Sequence, residues 1–190
     1  MARQDALQVE ASVVHDDLGL GRLARWGEPV RVGSAALGLM VRRDLDVTVV
    51  CARLDAATAE GVAVLGAEMF RHPRVRSVQL RDDTERWNTD PAYPDGIYLG
   101  LRYRTVDQHD WSLDVWFIDE PDRQPDLAHL RTIPPRLTEE TRRAILTIKQ
   151  ASVDTPPPGP TVSGHVVYTA VLDDGVRTPA EFWSWRAARA

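Results

Sequence analysis

Three aspartates have the sequence context of metal-binding carboxylates. Asp44 and Asp46 are separated by one residue and run directly into the β-branched segment Val47–Val50, which is typical of a strand. Because side chains alternate along a strand, both carboxylates project from one face and lie close enough to share divalent cations. Asp114 stands inside a later apolar segment, where a charge needs a partner.

The chemistry that such a group supports is metal-dependent. Carboxylates that point at one spot repel each other unless a cation lies between them, and hard oxygen ligands suit Mg²⁺ or Mn²⁺. Phosphoryl-type transfer commonly uses two such ions, about 3.5–4 Å apart, to activate the attacking oxygen and to offset charge on the leaving one. For the pair taken alone, the alternative is a solvated turn in which Asp44 pairs with Arg42 or Arg43.

A glycine-serine pair precedes these acids. Gly33 and Ser34 follow a short strand-like run, and nine residues separate them from Asp44. Glycine lets the backbone approach a triphosphate closely, while the serine hydroxyl and the N–H groups that open a following helix donate to anionic oxygens. An ordinary turn is the alternative for an isolated pair of this kind.

The order of these features resembles the DNA polymerase beta-like nucleotidyltransferase superfamily, in the version found in small bacterial nucleotidyltransferase-like proteins. In that family a Gly-Ser pair at the end of the first strand precedes a short helix, an Asp-x-Asp pair opens the next strand, and a third carboxylate lies on a later, adjacent strand. The resemblance covers about residues 30–118 at most. The matching residues are Gly33 and Ser34 for the pair, Asp44 and Asp46 for the double carboxylate, and Asp114 for the third acid.

The resemblance implies a Mg²⁺-dependent (or Mn²⁺-dependent) transferase that moves a nucleoside monophosphate from an NTP to a hydroxyl of a small-molecule acceptor. In that scheme Asp44 and Asp46 hold both ions, Asp114 completes the catalytic one, and Gly33 and Ser34 grip the triphosphate. An antibiotic-like acceptor follows from analogy of fold alone. The alternative is a catalytically degenerate module of the same fold that holds a nucleotide or a partner chain without turnover.

Further residues are candidates for the two substrates. Lys149, the only lysine of the chain, lies on a predicted helix and is expected to reach the triphosphate, with a solvated surface lysine as the alternative. The polar loop from Arg81 to Gly96 is longer than a compact domain normally uses, so we expect it to border the acceptor. Aromatic residues around this loop and the following hairpin form the expected acceptor pocket, with core packing as the alternative for at least half: Trp87, Tyr93, Trp111 and Trp116.

The elements that must position these residues form a mixed sheet and flanking helices. An N-terminal helix is expected within Met1–Trp26, and Asp55 is predicted to cap the clearest helix. The order of elements predicts an α/β (α+β) class with C-terminal helices. The predicted strands are 30–32, 47–51, 75–80, 97–104 and 111–118, and the predicted helices are 35–41, 56–72, 126–131, 138–152, 166–171 and a last turn from 179.

Two regions are expected along the chain. Residues 1–121 form the predicted nucleotidyltransferase-like core, and residues 122–190 form a helical C-terminal region packed on that core. The proline tract 156–160 is a stiff connector that cannot be helical. Trp183 and Trp185 indicate a helix-docking surface or, as the alternative, a homodimer interface.

Composition narrows the class of protein. The chain has 190 residues, a net charge of −5 and one cysteine, so an internal disulfide is excluded and nucleic acid is disfavoured as the main partner. The histidines lack metal spacing, so a zinc site is not expected. No apolar run approaches the roughly 20 residues of a membrane helix, and no signal peptide is apparent. We therefore expect a cytoplasmic protein whose partners are an NTP and a small molecule.

Overall fold

A computed structural model describes residues 2–155 and 161–189; the proline connector 156–160 lies outside these residues. The centre of the fold is a five-stranded sheet with the order β1-β2-β5-β4-β3, in which β2 and β5 run parallel and the other neighbours run antiparallel. The strands are β1 (Gly27–Val32), β2 (Asp44–Cys51), β3 (Val75–Asp83), β4 (Gly96–Arg104) and β5 (Asp110–Ile118).

The helices flank this sheet, and the α/β (α+β) class predicted from the sequence is confirmed. The predicted cap is present, because the Thr58 amide donates to Asp55 Oδ1 at 2.9 Å. The helices are α1 (Ala2–Asp17), α2 (Gly33–Leu37), α3 (Ala56–Phe70), α4 (Pro125–Thr132), α5 (Glu139–Asp154), α6 (Gly164–Leu172) and α7 (Pro179–Ala187).

Several predicted boundaries are corrected. The short helix expected at 35–41 lies at Gly33–Leu37, because Gly38 adopts a left-handed conformation with φ of 66° and ends it. The N-terminal helix ends at Asp17, because Gly19 adopts a left-handed conformation with φ of 60° and a 3₁₀ turn, Leu20–Arg25, follows. The long polar loop begins at Thr84 rather than Arg81, because β3 continues through Asp83 in register with β4.

The two faces of the sheet differ in chemistry because side chains alternate along each strand. One face is apolar: Leu45, Leu99 and Leu113 are 0% exposed and lie in the core cluster that also contains residues of α1 and α3. The other face carries Asp46 and Asp114, which are half-buried. The alternation therefore directs all three candidate acids away from the main core.

The C-terminal helices form a second core cluster. Leu37 and Leu39, which end and follow α2, belong to this cluster together with residues of α5, α6 and α7. Trp183 and Trp185 pack on Phe182 within it, with ring centroids 5.0 and 5.8 Å away. Both tryptophans thus have docking partners inside the chain, while the homodimer and the two-region division remain predictions. In the ranges described, no helix is long and apolar enough to span a bilayer.

Candidate active site

The three candidate acids meet on two neighbouring strands. Asp46 of β2 and Asp114 of β5 are partners in the parallel register, and Asp44 pairs with Ser112 one step earlier on the same face. The Asp-x-Asp pair and the later aspartate, which are far apart in sequence, are therefore brought together. The family resemblance implied this juxtaposition, and side-chain alternation indicated the shared face of Asp44 and Asp46.

Gly33 lies directly against this group. It has a φ of 62°, a left-handed conformation that strains other residues. A Cβ atom built on Gly33 would collide with Asp46 Oδ2. Two separate constraints therefore require glycine at this position: the left-handed backbone angle and the close approach of the backbone to the carboxylate.

Two buried oxygen atoms at the site have no hydrogen-bond partner in the described part of the chain. They are Ser34 Oγ and Asp44 Oδ1. Buried polar atoms are almost always paired, so these atoms are available to a ligand. An unpaired carboxylate oxygen and an unpaired hydroxyl fit a divalent cation and a phosphate oxygen respectively.

Electrostatics at the acids also favour a cation. Burial, followed by the negative charges of Asp44 and Asp114, raises the pKa of Asp46 to about 8. Burial likewise raises the pKa of Asp44, against the opposing effect of the positive charge on Lys149. Within residues 2–155 and 161–189, no three His, Cys, Asp or Glu side chains are already gathered closely enough to hold a metal.

Lys149 of α5 faces the same cavity as Asp44 and Asp46, whose volume is about 290 Å³ and whose wall includes Ser34. Its Nζ donates to Leu39 O at 2.7 Å. Burial lowers the pKa of this ammonium to about 8, and the two aspartates oppose the change. The lysine is therefore positioned as an enclosed cation beside the acids rather than as a solvated surface residue.

A second cavity of about 520 Å³ adjoins the first and shares Tyr93 and Asp126 with it. Trp87, Tyr93 and Trp116 line this second cavity. Trp87 and Tyr93 are 59% and 46% exposed, so their rings are accessible to a ligand. Three of the four aromatic residues expected around an acceptor therefore line one cavity, which adjoins the cavity of Asp44 and Asp46.

Trp111 requires a correction. Its side chain is 1% exposed and lies in the sheet core, and its Nε1 donates to Glu10 Oε1 at 2.8 Å. The physical reason is parity, because positions 111 and 116 of β5 point to opposite faces of the sheet. The residue is a core residue and not part of the cavity.

Two weaker carboxylate candidates have structural partners elsewhere. Asp110 forms an ion pair with Arg104 at 2.6 Å. Asp119 accepts a hydrogen bond from the Leu54 amide at 3.0 Å. Of the acids on or beside β5, Asp114 is the one in register with Asp46.

Two further tyrosines of the site, Tyr98 and Tyr168, were not predicted from the sequence. Tyr98 donates its hydroxyl to Asp114 Oδ1 at 2.5 Å, and Tyr168 of α6 stands over Lys149, whose Nζ lies 5.6 Å from the ring centroid. The hairpin pattern contained a signal for Tyr98, because pairing β4 with β5 places it two residues from the partner of Asp114. No local pattern connects Tyr168 with Lys149.

Solved structures with similar folds were found by comparison. The Cid1 poly(U) polymerase bound to MgATP superposes with a TM-score of 0.61 and 17% identity, covering 88% of this chain and 50% of that chain. A cytoplasmic RNA terminal U-transferase gives 0.56 and 17%, covering 87% and 47%. The CdnC:HORMA-deltaN complex of E. coli MS115-1 gives 0.50 and 13%, covering 99% and 65%.

The chain thus spans about half the length of the first two of these proteins. No family model and no curated protein matches the sequence. At these identities the likeness concerns the fold, and it agrees with the resemblance carried by the Gly-Ser pair and the three aspartates. The chain has a nucleotidyltransferase fold.

Proposed function

We propose that the protein is a nucleotidyltransferase that moves a nucleoside monophosphate from an NTP to a hydroxyl group of an acceptor. The observation that carries this proposal is the register of Asp46 with Asp114 beside Gly33. In the reaction, the bond from the α-phosphorus to the bridging oxygen of pyrophosphate breaks. A new bond forms to the acceptor oxygen, which gives up its proton.

The nucleotide side of the site is the smaller cavity. Ser34 Oγ, which is buried and unpaired within the described residues, donates to a phosphate oxygen. Lys149, which lines the same cavity, supplies a positive charge. Gly33 keeps the space next to Asp46 open, since a side chain there would collide with the carboxylate. These groups bind and orient the triphosphate.

Asp44, Asp46 and Asp114 are the residues that would hold divalent ions, with Mg²⁺ or Mn²⁺ as the ions that suit their oxygens. When bound, such ions activate an attacking hydroxyl and offset negative charge on the triphosphate. The unpaired Asp44 Oδ1 and the raised pKa of Asp46 support this assignment. A cation next to these acids would oppose the burial and the neighbouring negative charges that raise the pKa of Asp46.

The acceptor that we propose is a small molecule bound in the aromatic cavity. Trp87 and Tyr93 offer exposed rings there, and Arg81 and Asp126 add charges of both signs. A cavity with a few polar groups among aromatic walls suits a compact polar ligand. The shared wall at Asp126 brings the acceptor next to the nucleotide.

The first experiment is a screen of the four NTPs with Mg²⁺ or Mn²⁺ against a panel of polyhydroxylated small molecules, read by pyrophosphate release and by calorimetry. Metal-dependent binding and pyrophosphate release that depends on the acceptor support the transferase. Binding without turnover against any acceptor supports the degenerate nucleotide-holding module. Absence of nucleotide binding contradicts both.

A nucleic-acid acceptor is the second candidate, favoured by a specific surface. Arginines line a cavity of about 880 Å³ at the end of the sheet next to Ser112; two of them, Arg76 and Arg102, form no ion pair in the described ranges. The exclusion of nucleic acid expected from the net charge is not supported, since similar folds include an RNA terminal U-transferase. An oligonucleotide in the acceptor panel tests this candidate, with Arg76→Ala and Arg102→Ala against Trp87→Ala as the discriminating variants.

A further inference from the structure

Tyr98 contacts both Asp114 and Trp116, and Trp116 lines the aromatic cavity. Its hydroxyl donates to Asp114 Oδ1 at 2.5 Å. Within the chain as described, no hydrogen bond reaches Asp114 Oδ2. One oxygen of the carboxylate is therefore fixed by the tyrosine, and the other is free for a ligand.

The strand opposite Asp114 is shaped to permit this contact. Gly100 of β4 is the register partner of Asp114, and the phenol of Tyr98 lies across it. A Cβ atom at Gly100 would collide with the Tyr98 hydroxyl. The absence of a side chain at position 100 is thus what lets the tyrosine reach the acid.

Arg81 holds the tyrosine ring in place. The guanidinium carbon lies 4.8 Å from the Tyr98 ring centroid and 5.4 Å from that of Trp116. The two rings are 5.1 Å apart. Arg81 is itself fixed by Asp83, whose carboxylate accepts from its Nε at 2.8 Å. Stacking of this kind restricts the ring to one orientation.

We infer that Tyr98 is a positioning residue for Asp114. Its hydroxyl holds one carboxylate oxygen in a fixed place, so that the second oxygen is presented as a ligand in a single orientation. The inference rests on the proposed function, because it assigns Asp114 a ligand's role. Partners that orient a ligand in this way commonly change metal affinity or activity by about 10–100-fold when they are removed.

The test compares three variants. Tyr98→Phe removes the hydroxyl and retains the ring, whereas Gly100→Ala retains the hydroxyl and displaces the ring. Tyr103→Phe is the matched control, because this tyrosine of the same strand points to the other face and donates to Asp17 Oδ2 at 2.6 Å. Thermal unfolding of all three variants checks that each one folds.

Two measurements are made on each variant. The first is Mn²⁺ binding in the presence of a non-hydrolysable NTP analogue, followed by electron paramagnetic resonance. The second is steady-state kinetics, which shows whether a loss of activity lies in kcat or in the KM for the NTP. We expect Tyr98→Phe and Gly100→Ala to weaken the binding of the Mn²⁺ ion that Asp114 would hold and to lower kcat, each by about tenfold or more. The KM for the NTP should change less than about threefold.

The possible failures are distinguishable. Wild-type kcat and wild-type Mn²⁺ binding in Tyr98→Phe overturn the positioning role and leave the proposed function standing. Equal losses in Tyr103→Phe also overturn it, since they indicate a general effect on the strand. If wild-type protein binds Mn²⁺ with the analogue but transfers nothing, the proposed function fails while a lower affinity in Tyr98→Phe still supports the inference. Wild-type protein that binds no Mn²⁺ overturns both.

Discussion

Asp46 and Asp114 occupy the same register position on two parallel neighbouring strands, although 67 residues lie between them in the sequence. The pairing brings two carboxylates to one point of the polar sheet face. It also gives them different neighbours. Asp46 lines the cavity that contains Ser34 and Lys149, whereas Asp114 does not line that cavity and accepts a hydrogen bond from the Tyr98 hydroxyl.

This difference predicts that nucleotide binding and turnover separate in Asp114→Asn. The substitution keeps the shape of the side chain and removes its charge, at a position outside the nucleotide cavity. We expect NTP affinity to change by less than about tenfold, or about 1.4 kcal/mol. Turnover is expected to fall by about 100-fold or more, or about 2.7 kcal/mol of barrier. Calorimetry and pyrophosphate release measure the two effects.

Asp119→Asn is the control for this prediction, because Asp119 follows the same strand but bonds the Leu54 amide. That variant should lose stability and retain turnover. Wild-type turnover in Asp114→Asn would remove Asp114 from the catalytic set.

The raised pKa of Asp46 predicts a pH-dependent stability in metal-free protein. Its pKa is about 8 in the folded chain and about 3.9 in an unfolded chain. The folded state therefore holds the proton more tightly, and the free energy of unfolding decreases as pH rises from about 4 to about 8. Asp46→Asn lacks this decrease, so it should melt higher than wild type near pH 8 and similarly near pH 4.

Melting curves in the presence of a chelator measure this difference, which should reach several degrees because about 1 kcal/mol shifts the Tm of a domain of this size by about 2–4 °C. Adding Mg²⁺ with an NTP should then stabilise wild type and leave Asp46→Asn unchanged. A lower Tm for Asp46→Asn across the whole pH range would instead indicate that the acid has a structural partner.

The shared face of Asp44 and Asp46 was predictable because it depends on a local pattern, whereas the pairing of Asp46 with Asp114 was implied by the family resemblance alone. Alternation fixes the face of Asp44 and Asp46, and the following β-branched residues fix the strand. The same alternation separates Trp116, which shares the parity of Asp114, from Trp111, which does not. Applied strictly, it would have assigned Trp111 to the core from the sequence.

The remainder of the site depends on packing between distant segments. Tyr168 reaches Lys149 only because α5 and α6 share a core cluster with Leu37 and Leu39. The helix patterns predict that such helices exist and which faces are apolar. They contain no information on which two faces meet, so the partners of Lys149 could not be derived.

Lys149→Met should weaken nucleotide binding, and the loss should be larger for nucleotides that carry more phosphates. We expect the Kd for an NTP to rise by about tenfold, the Kd for a monophosphate to rise less, and nucleoside binding to stay the same, because a buried cation acts on the phosphate charge. Arg143→Met on the exposed side of α5 removes the same charge from the same helix. Equal effects in both variants would show that net charge rather than position matters.

Gly33→Ala should abolish metal-dependent NTP binding. Gly175→Ala is the control that separates backbone strain from a collision with Asp46. Gly33 and Gly175 both have left-handed backbones, with φ of 62° and 72°. A Cβ atom at Gly175 meets nothing within 4 Å, whereas one at Gly33 meets the Asp46 carboxylate. The backbone strain is common to both substitutions and costs about 1 kcal/mol of stability.

Gly175→Ala should therefore lower the Tm and leave NTP affinity unchanged. Gly33→Ala should lower the Tm at least as much and also lose metal-dependent NTP binding, because the added methyl group displaces Asp46. Retention of wild-type NTP affinity by Gly33→Ala, measured by calorimetry with Mg²⁺, would contradict the assignment of Gly33 to the nucleotide site.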